Sequence, residues 1–491
     1  MPIMIVIFGY FSAGLLLGLS AYAHTGWVLA VVGLGLLAWS IKNSISWKMV
    51  MGGGVLTATL KALVVVSIFW SVYPLDWLPV SSGVALVLVL SYAIYSGLGP
   101  LIGTVVSIVV WRWVLQTQAS WGIVLLPSAW LGGEVLGAFL YSKFMLSEFV
   151  TSTLAPSVFS IGHAAVKHSG LFYFAKWGGV FILTFLLVLV VAGFFITYSN
   201  GRDHRRYAWY LSGVVFVATS FLTLKTNTSL PVIAVVETDF RVDFMEPDQA
   251  LVQKTKEETL FRAVKSALGF SPEVIILPED ARFISYGIDS NQALGFYQLA
   301  LSGPTSLLID SARVEARNGA YLRARAYDPI DRRVWQADKQ KLIPLGEYLP
   351  SALAILLSVI KADQERETAL SRLNYRPGPL FSQADFPAHV PGLLFCLESL
   401  SPLAAYRLAK ERELSFIAHP VSHAWFNDAS ILEKVLRAPL LTQARFAGVP
   451  IVSAANAGTS HIYWPSGRVE TPLVVAEGEG WRVRLIGTDR R

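Results

Sequence analysis

Cys396 is the single cysteine of a 491-residue chain, and it ends the apolar run PGLLFCLES, where a buried strand is expected to meet a loop. One thiol makes no internal disulfide, which leaves two uses, a nucleophile or an inert core group. Its companions favour the first. Upstream stand VIILPED, carrying Glu279, and DKQKLIPLGEYLP, carrying Lys339 and Glu347. A thiol, a carboxylate and an amine along one domain are the groups that acyl transfer through a thioester requires. The thiol is mostly protonated at neutral pH and needs a base. A carboxylate in a partly apolar pocket can take that proton and later return it. A fixed cation stabilises the tetrahedral oxyanion.

Several positions admit two readings. Lys341 competes with Lys339 for the cation, and only the spacing to Glu347 favours Lys339. Glu347 either orients that lysine or handles the proton of an incoming amine. Glu279 could instead cap a following helix. Glu398 faces the same side as Cys396 if the strand continues, as a supporting carboxylate or a surface cap. His423, next to Trp425, is a pocket residue or an ordinary loop histidine. The eight histidines show no HExxH or other metal-ligand spacing, and there is no Gly-rich phosphate loop. No metal or nucleotide cofactor is therefore implied.

Charge is distributed unevenly enough to divide the chain. Residues 1–200 hold ten charged side chains (Lys42, Lys48, Lys61, Asp76, Arg112, Glu134, Lys143, Glu148, Lys167 and Lys176). Apolar runs near 3–22, 27–41, 53–73, 122–141, 174–198 and 207–223 are long enough to read as membrane helices. The stretch 81–117 reads as one long helix or two short ones broken at Gly97, Gly99 and Pro100. Lys42 and Lys48, and Arg202, Arg205 and Arg206, mark cytoplasmic loops, which requires an odd number of crossings in 81–117. One crossing there gives about seven transmembrane helices in a membrane domain over 1–226. It also places an extracytoplasmic domain over 227–491, and a lone thiol suits that oxidising side. Glu134, acidic inside the run AWLGGEVLGAF, is either a functional group or a carboxylate turned toward the bundle. The net charge of +6 does not point to nucleic acid, because the basic residues are scattered.

Beyond residue 228 the pattern changes to strands alternating with amphipathic segments. Strands are expected at 229–240, 273–280 and 305–314, then GAYLRARAYDP as an outer strand, GLLFCLES, SFIAHPVS, and a strand, glycine turn and strand over 449–469. Helices are expected at 248–268, with Leu251, Leu260, Val264 and Leu268 along one face, at 290–301, and from about Tyr348. Such alternation in about 260 residues argues α/β, and two similar halves favour a layered α-β-β-α sandwich.

These motifs resemble the nitrilase (carbon–nitrogen hydrolase) superfamily and, more narrowly, the bacterial apolipoprotein N-acyltransferases. LPED is similar to the family's P-E step, DKQKLIPLGEYLP to K-x-x-L-V-P-F-G-E-x-x-P, and PGLLFCLES to the nucleophile strand with its C-Y-E step. HAWFND and SAANAGTSHIYWPSGRV resemble the D-A-W-F loop and closing strand pair, and AWLGGE resembles a W-x-x-x-E membrane helix. The resemblance implies a polytopic helical membrane domain followed by a nitrilase-like sandwich, with Glu279 as base, Cys396 as nucleophile, and Lys339 with the Leu397 backbone N–H at the oxyanion. It implies an inner-membrane enzyme with its catalytic domain in the periplasm. The acyl chain would pass from a phospholipid donor through a thioester to the N-terminal amine of a lipoprotein, or another amine acceptor. The chain departs from the pattern in four places. Leu397 replaces a tyrosine, His423 replaces an aspartate, and the loop after the first strand offers only Phe240 and Phe244 for an expected tryptophan. The terminal EGEGWRVRLIGTDRR is too polar for a closing membrane helix. TraB-type conjugal transfer proteins share the same plan and compete with this assignment, as does a membrane-tethered amidase.

Overall fold

The computed structural model describes residues 3–22, 26–117, 121–145, 157–199, 229–241, 249–284, 295, 297, 298, 305–317, 319–379, 383–427 and 429–487. Seven helices come first: α1 (Ile3–Leu19), α2 (Gly26–Asn43), α3 (Trp47–Val66), α4 (Ser82–Thr117), α5 (Gly122–Met145), α6 (Ser169–Tyr173) and α7 (Ala175–Ser199). Among the described residues, five helices are long and apolar enough to cross a membrane, while Ile3–Leu19 is apolar but shorter. The chain is a multi-pass membrane protein. Residues 207–223 lie outside the described residues. Within the stretch 81–117, Ser82–Thr117 is one helix of 36 residues, about 54 Å long at 1.5 Å per residue. That exceeds the ~30 Å hydrocarbon layer, so α4 is long enough to cross a bilayer.

Helices in lipid gain little from hydrophobic burial and associate where small residues let backbones meet. Gly99 and Gly103 of α4 face Gly133 and Gly137 of α5 so closely that a Cβ at Gly103 would overlap the Gly133 carbonyl. This seam fixes the position of Glu134.

The second half contains β1 (Ile233–Thr238), α8 (Gln249–Leu268), β2 (Val274–Ile276), β3 (Leu307–Ala316), β4 (Gly319–Asp328) and β5 (Arg333–Asp338). It continues with α9 (Ser351–Val359), α10 (Asp363–Arg372), β6 (Gly392–Leu393), α11 (Ala404–Glu411), β7 (Ile417–Ser422), α12 (Ala429–Ala447) and β8 (Ile451–Asn456). The short strands β9 (Ile462–Tyr463) and β10 (Val469–Glu470) and the hairpin β11 (Leu473–Gly478) and β12 (Trp481–Ile486) close it. One set of strands runs β5-β4-β3-β2-β1-β12-β11, and the other runs β6-β7-β8-β9-β10. They join at the parallel bridge between Thr238 and Asn456.

Side-chain alternation explains the layering. Ile233, Val235, Ile276 and Ile309 meet Leu393, Ala418, Val452 and Ala454 in a core between the sheets. Ala234, Val236, Ile275 and Leu277 point outward onto Leu260, Ala263 and Val264 of α8. Ile417 and Ile451 point outward onto Leu436, Leu440 and Ala444 of α12. The result is the α-β-β-α arrangement that the alternating pattern predicts.

The structure differs from the sequence expectations at Leu251, at GAYLRARAYDP and at Cys396. Leu251 is 60% exposed, because nine residues separate it from Leu260, two and a half turns at 3.6 residues per turn, and so it faces the opposite side of α8. GAYLRARAYDP is not the outer strand, since β5 pairs beyond it. The strand at Cys396 stops at Leu393, and Cys396–Leu400 forms a 3-10 turn. The polar segment near the end is the strand β12, paired along the whole of β1. The expected helix at 290–301 lies almost wholly outside the described residues.

Asn456 holds the two sheets together. Its Oδ1 accepts from Thr238 Oγ1 (2.9 Å) and the Phe240 N–H (2.7 Å), and its Nδ2 donates to the Phe240 carbonyl (2.9 Å) and Ser422 Oγ (3.0 Å). Asn456→Ala leaves these partners unpaired at a cost of about 3 kcal/mol. The expected result is a drop in the unfolding midpoint of the detergent-solubilised protein on the order of 10 °C. Asn456→Asp, which keeps the acceptor, loses less.

Candidate active site

Strands β1, β2, β3 and β5 run in one direction, β6, β7 and β8 are mutually parallel, and β1 and β8 are parallel where they touch. The carboxyl ends of these strands therefore lie at one end of the sandwich, where crevices in open α/β sheets take ligands, with β3 running on past the others to Ala316. Glu279 follows β2, Lys339 follows β5, Cys396 follows β6, and Trp425 follows β7.

The structure brings Glu279, Lys339 and Glu347 together. Lys339 Nζ donates to Glu279 Oε1 at 2.8 Å and to Glu347 Oε1 at 2.7 Å, with the three side chains 0%, 3% and 4% exposed. Glu347 Oε2 accepts from the Ile343 N–H (2.7 Å), which closes the loop around the lysine. Lys339 is thereby distinguished from Lys341, whose ammonium has no such partners. Glu279 caps no helix. The loop after it instead turns through Asp280 and Arg282, both with positive φ, and is tied down by Ser311 Oγ on the Asp280 N–H (2.9 Å).

Electrostatics follow from burial. Loss of water pushes the Glu279 carboxyl up to about 7, against the pull of Lys339 and with the help of Glu347. Burial likewise raises Glu347. Burial works against the Lys339 ammonium too, but the two carboxylates and the Cys396 sulfur together outweigh it and hold Lys339 well above its ordinary value. The Cys396 thiol is pushed well above its usual range by burial and then by Glu279, with Lys339 opposing. The resting site thus holds a neutral thiol, a permanent cation and a carboxyl that titrates near neutrality.

Glu398 is neither a strand residue nor a surface cap. Its Oε2 accepts from the Phe395 N–H (2.8 Å), and its Oε1 accepts from the N–H groups of Gln340 (2.6 Å) and Lys341 (3.3 Å). It ends the strand and ties the cysteine turn to the lysine loop. Leu397 is half-buried and lines an apolar cavity with Cys396. His423 is buried, with Nδ1 3.7 Å from Glu433 Oε1 and its ring packed under Gly458. Burial lowers it to about 4, so it is neutral. Phe240 lines a polar cavity at Glu279, and Phe244 lies outside the described residues.

Two cavities meet here. One, of about 940 Å3 including space open to solvent, runs from Cys396 and Leu397 past Trp425 to Val65 and Phe69 and to Tyr92 and Tyr141 of the membrane helices. The other, about 610 Å3, is polar and is lined by Glu279, Glu347, Arg241, Lys256 and Arg282, again with Trp425.

Sequence reasoning missed three contributors. His419, neutral because burial lowers it to about 4, sits with Nε2 3.3 Å from the Cys396 carbonyl and Nδ1 2.8 Å from Ser453 Oγ. A histidine inside the apolar run SFIAHPVS was the available signal. Trp77 Nε1 donates to the Leu345 carbonyl (2.8 Å) and gives no sequence signal. Ser157, from the helical half, donates through N–H (2.8 Å) and Oγ (3.1 Å) to the Leu400 carbonyl at the end of the cysteine turn. Glu134 belongs to the bundle. It accepts from Trp130 Nε1, Ser160 Oγ, the Ile161 N–H and Thr184 Oγ1, and it stands 3.8 Å from Lys61 Nζ. Among the described residues, Asp328, Asp331 and His389 are close enough to share a cation. His389 Nε2 is already bonded to Asp328 Oδ2, whose other oxygen caps the Ile330 and Asp331 N–H groups.

No family model matches the chain. The apolipoprotein N-acyltransferase of Ralstonia nicotianae is 23% identical over 209 residues, 41% of this chain and 38% of that protein. The match therefore spans well under half the length of that relative. An amidase of the nitrilase superfamily from Nesterenkonia aligns over 54% of this chain and 93% of its own, at 16% identity and a TM-score of 0.34. A CN-hydrolase superfamily protein from Xanthomonas campestris, with an arsenic adduct in its active site, aligns over 52% and 90%, at 13% identity and a TM-score of 0.33. By sequence, the chain is similar over part of its length to an apolipoprotein N-acyltransferase.

Lys339→Met leaves two buried carboxylates facing each other without a cation, and the expected loss is about 3–5 kcal/mol, read as a lowered thermal midpoint. The double variant Lys339→Met, Glu279→Gln removes one of those charges and recovers part of the loss.

Proposed function

We propose that the protein is a membrane-bound thiol acyltransferase that moves an acyl chain from a phospholipid, through a thioester on Cys396, to an amine. The observation that carries this reading is the apolar cavity of about 940 Å3 that joins the buried thiol to the membrane helices. An acyl chain entering it exchanges lipid for apolar side chains, while its carbonyl reaches the sulfur.

In this reading Glu279 takes the thiol proton as sulfur attacks the ester carbonyl. Lys339 and the Leu397 N–H stabilise the oxyanion, the N–H being in the first turn after Phe395, where no intrahelical acceptor exists. Collapse expels the lysolipid alkoxide, which takes the proton back from Glu279. The amine then attacks the thioester, its proton passing to Glu279, and collapse releases the amide and the sulfur, which takes that proton from Glu279 to restore the thiol and the carboxylate. Glu347 orients Lys339, and Glu398 holds the turn to the lysine loop. The seventh span at 207–223, the boundary near 226 and 227, an inner-membrane location and a periplasmic catalytic face belong to the same reading, as does a lipoprotein as the acceptor. Hydrolysis by water is the second reading, favoured by the polar cavity that reaches Glu279 from the other side.

Incubation of the protein in detergent with phosphatidylethanolamine is expected to add one acyl mass at Cys396 and release lysolipid, and Cys396→Ala to show no adduct. Cleavage of small amides with no adduct from lipid would favour the hydrolase instead. The adduct forms through the ionised carboxylate of Glu279, so its rate should rise with pH and level off above about 7. A flat profile between pH 5 and 8 (a range chosen around that value) would remove Glu279 from the base role. Val435→Phe narrows the apolar cavity and should lower kcat/KM about tenfold for long-chain donors while sparing short-chain esters.

A further inference from the structure

Behind the cysteine turn lies another cavity that the proposed chemistry does not use. Its volume is about 550 Å3 including space open to solvent, and its walls include Lys341, Arg407, Glu398, Leu393, Phe395 and Leu408. Successive side chains of an extended segment alternate, but the lysine loop turns between Lys339 and Lys341. Lys339 thus enters the candidate active site while Lys341 lines the cavity behind it.

Lys341 is 4% exposed, and its Nζ has no hydrogen-bond partner among the described residues. The nearby carboxylates are occupied. Glu398 spends both oxygens on backbone N–H groups, and Asp338 receives the fork of Arg323 at 2.6 and 2.9 Å. Glu411, also on the wall, feels the charges of Arg407 and Arg412. Burial pushes the Lys341 ammonium down to about 7, with Glu398 opposing and Arg407 reinforcing the fall. A buried donor with no acceptor is costly, and an anion would supply the acceptor that Lys341 Nζ lacks, with the Arg407 side chain on the same wall.

We propose that this cavity binds a small organic anion, its carboxylate or phosphate on Lys341 Nζ and Arg407 and its body against Leu393, Phe395 and Leu408. Glu398 is a wall of this cavity and also the tie between the cysteine turn and the lysine loop. Occupancy therefore touches the candidate active site from behind, whichever acceptor that site uses.

Cyanate tests the site without reference to activity. Isocyanic acid adds to a neutral amine, N–C bond formation and proton transfer giving the urea, and an ammonium held by an anion does not react. The full-length protein in detergent is treated with cyanate at pH 7, alone or with inorganic phosphate or succinate, and modified peptides are read by mass spectrometry. Lys341 should be modified faster than the exposed Lys254. At ten times its Kd, a bound anion should slow Lys341 about tenfold and leave Lys254 unchanged. Either anion should also raise the unfolding midpoint of the wild-type protein and leave that of Lys341→Met unmoved. Absence of an adduct at Lys341, no protection by either anion, protection equal at both lysines, or equal midpoint shifts in the two proteins would each overturn the proposal.

Discussion

One ammonium shared between two buried carboxylates is the constraint around which the catalytic end of the sandwich is organised. Lys339 is fully enclosed, and Glu279 and Glu347 approach it at 2.8 and 2.7 Å. No member tolerates the loss of another, because an unpaired charge away from water costs far more than the pair returns. The group therefore fixes two separate chain segments, the loop after β2 and the lysine loop, relative to one another. It also sets the chemistry, since burial, with Lys339 pulling against it and Glu347 adding to it, leaves the Glu279 carboxyl titrating near neutrality.

The helical half supplies restraint where the sheets alone would not. Leu345 lies in the lysine loop with a φ of 64°, a conformation that costs a non-glycine residue on the order of 1 kcal/mol or more. Trp77, from the segment after α3, donates to the carbonyl of that same residue. Ser157 binds the far end of the cysteine turn at Leu400, and Glu134, lodged by the glycine seam of α4 and α5, anchors the chain at Ser160 and Ile161. The membrane helices thus grip both loops that bear the reactive groups, and a change in their packing reaches the thiol through a few hydrogen bonds.

How much of this was legible in the sequence depends on the range of the interaction. The near-continuous small and apolar runs IAVVET, VII and IVSAAN predict strands with two buried faces, and these are buried along their whole length. The charged residues beside those strands mark Glu279 and Lys339, because a charge next to a buried run has to be paired. The turn at Cys396 was not legible. It is created by Glu398 reaching back to Phe395 and across to Gln340, 58 residues away, and an apolar run carries no sign of that contact. The same holds for Trp77, 268 residues from its acceptor. Glu134 left two readings open because local sequence shows an acid in an apolar helix without showing the four donors that satisfy it.

The position of the thiol between unlike cavities gives the architecture its chemical direction. Cys396 lines the apolar space that extends among the membrane helices, whereas Glu279 lines the polar space that carries Arg241, Lys256 and Arg282. A ping-pong acyl transfer needs a donor and an acceptor to reach one sulfur in turn, and here the two approaches have opposite polarity. Trp425 borders both, with its ring set edge-on to Trp77 at 5.2 Å between centroids. In the proposed acyl transfer, a chain resting in the apolar space would leave its thioester carbonyl near the polar mouth, where an amine would keep its hydration until it met Glu279. On that proposal, separate routes would let one carboxyl serve both half-reactions without either substrate passing through an environment that penalises it.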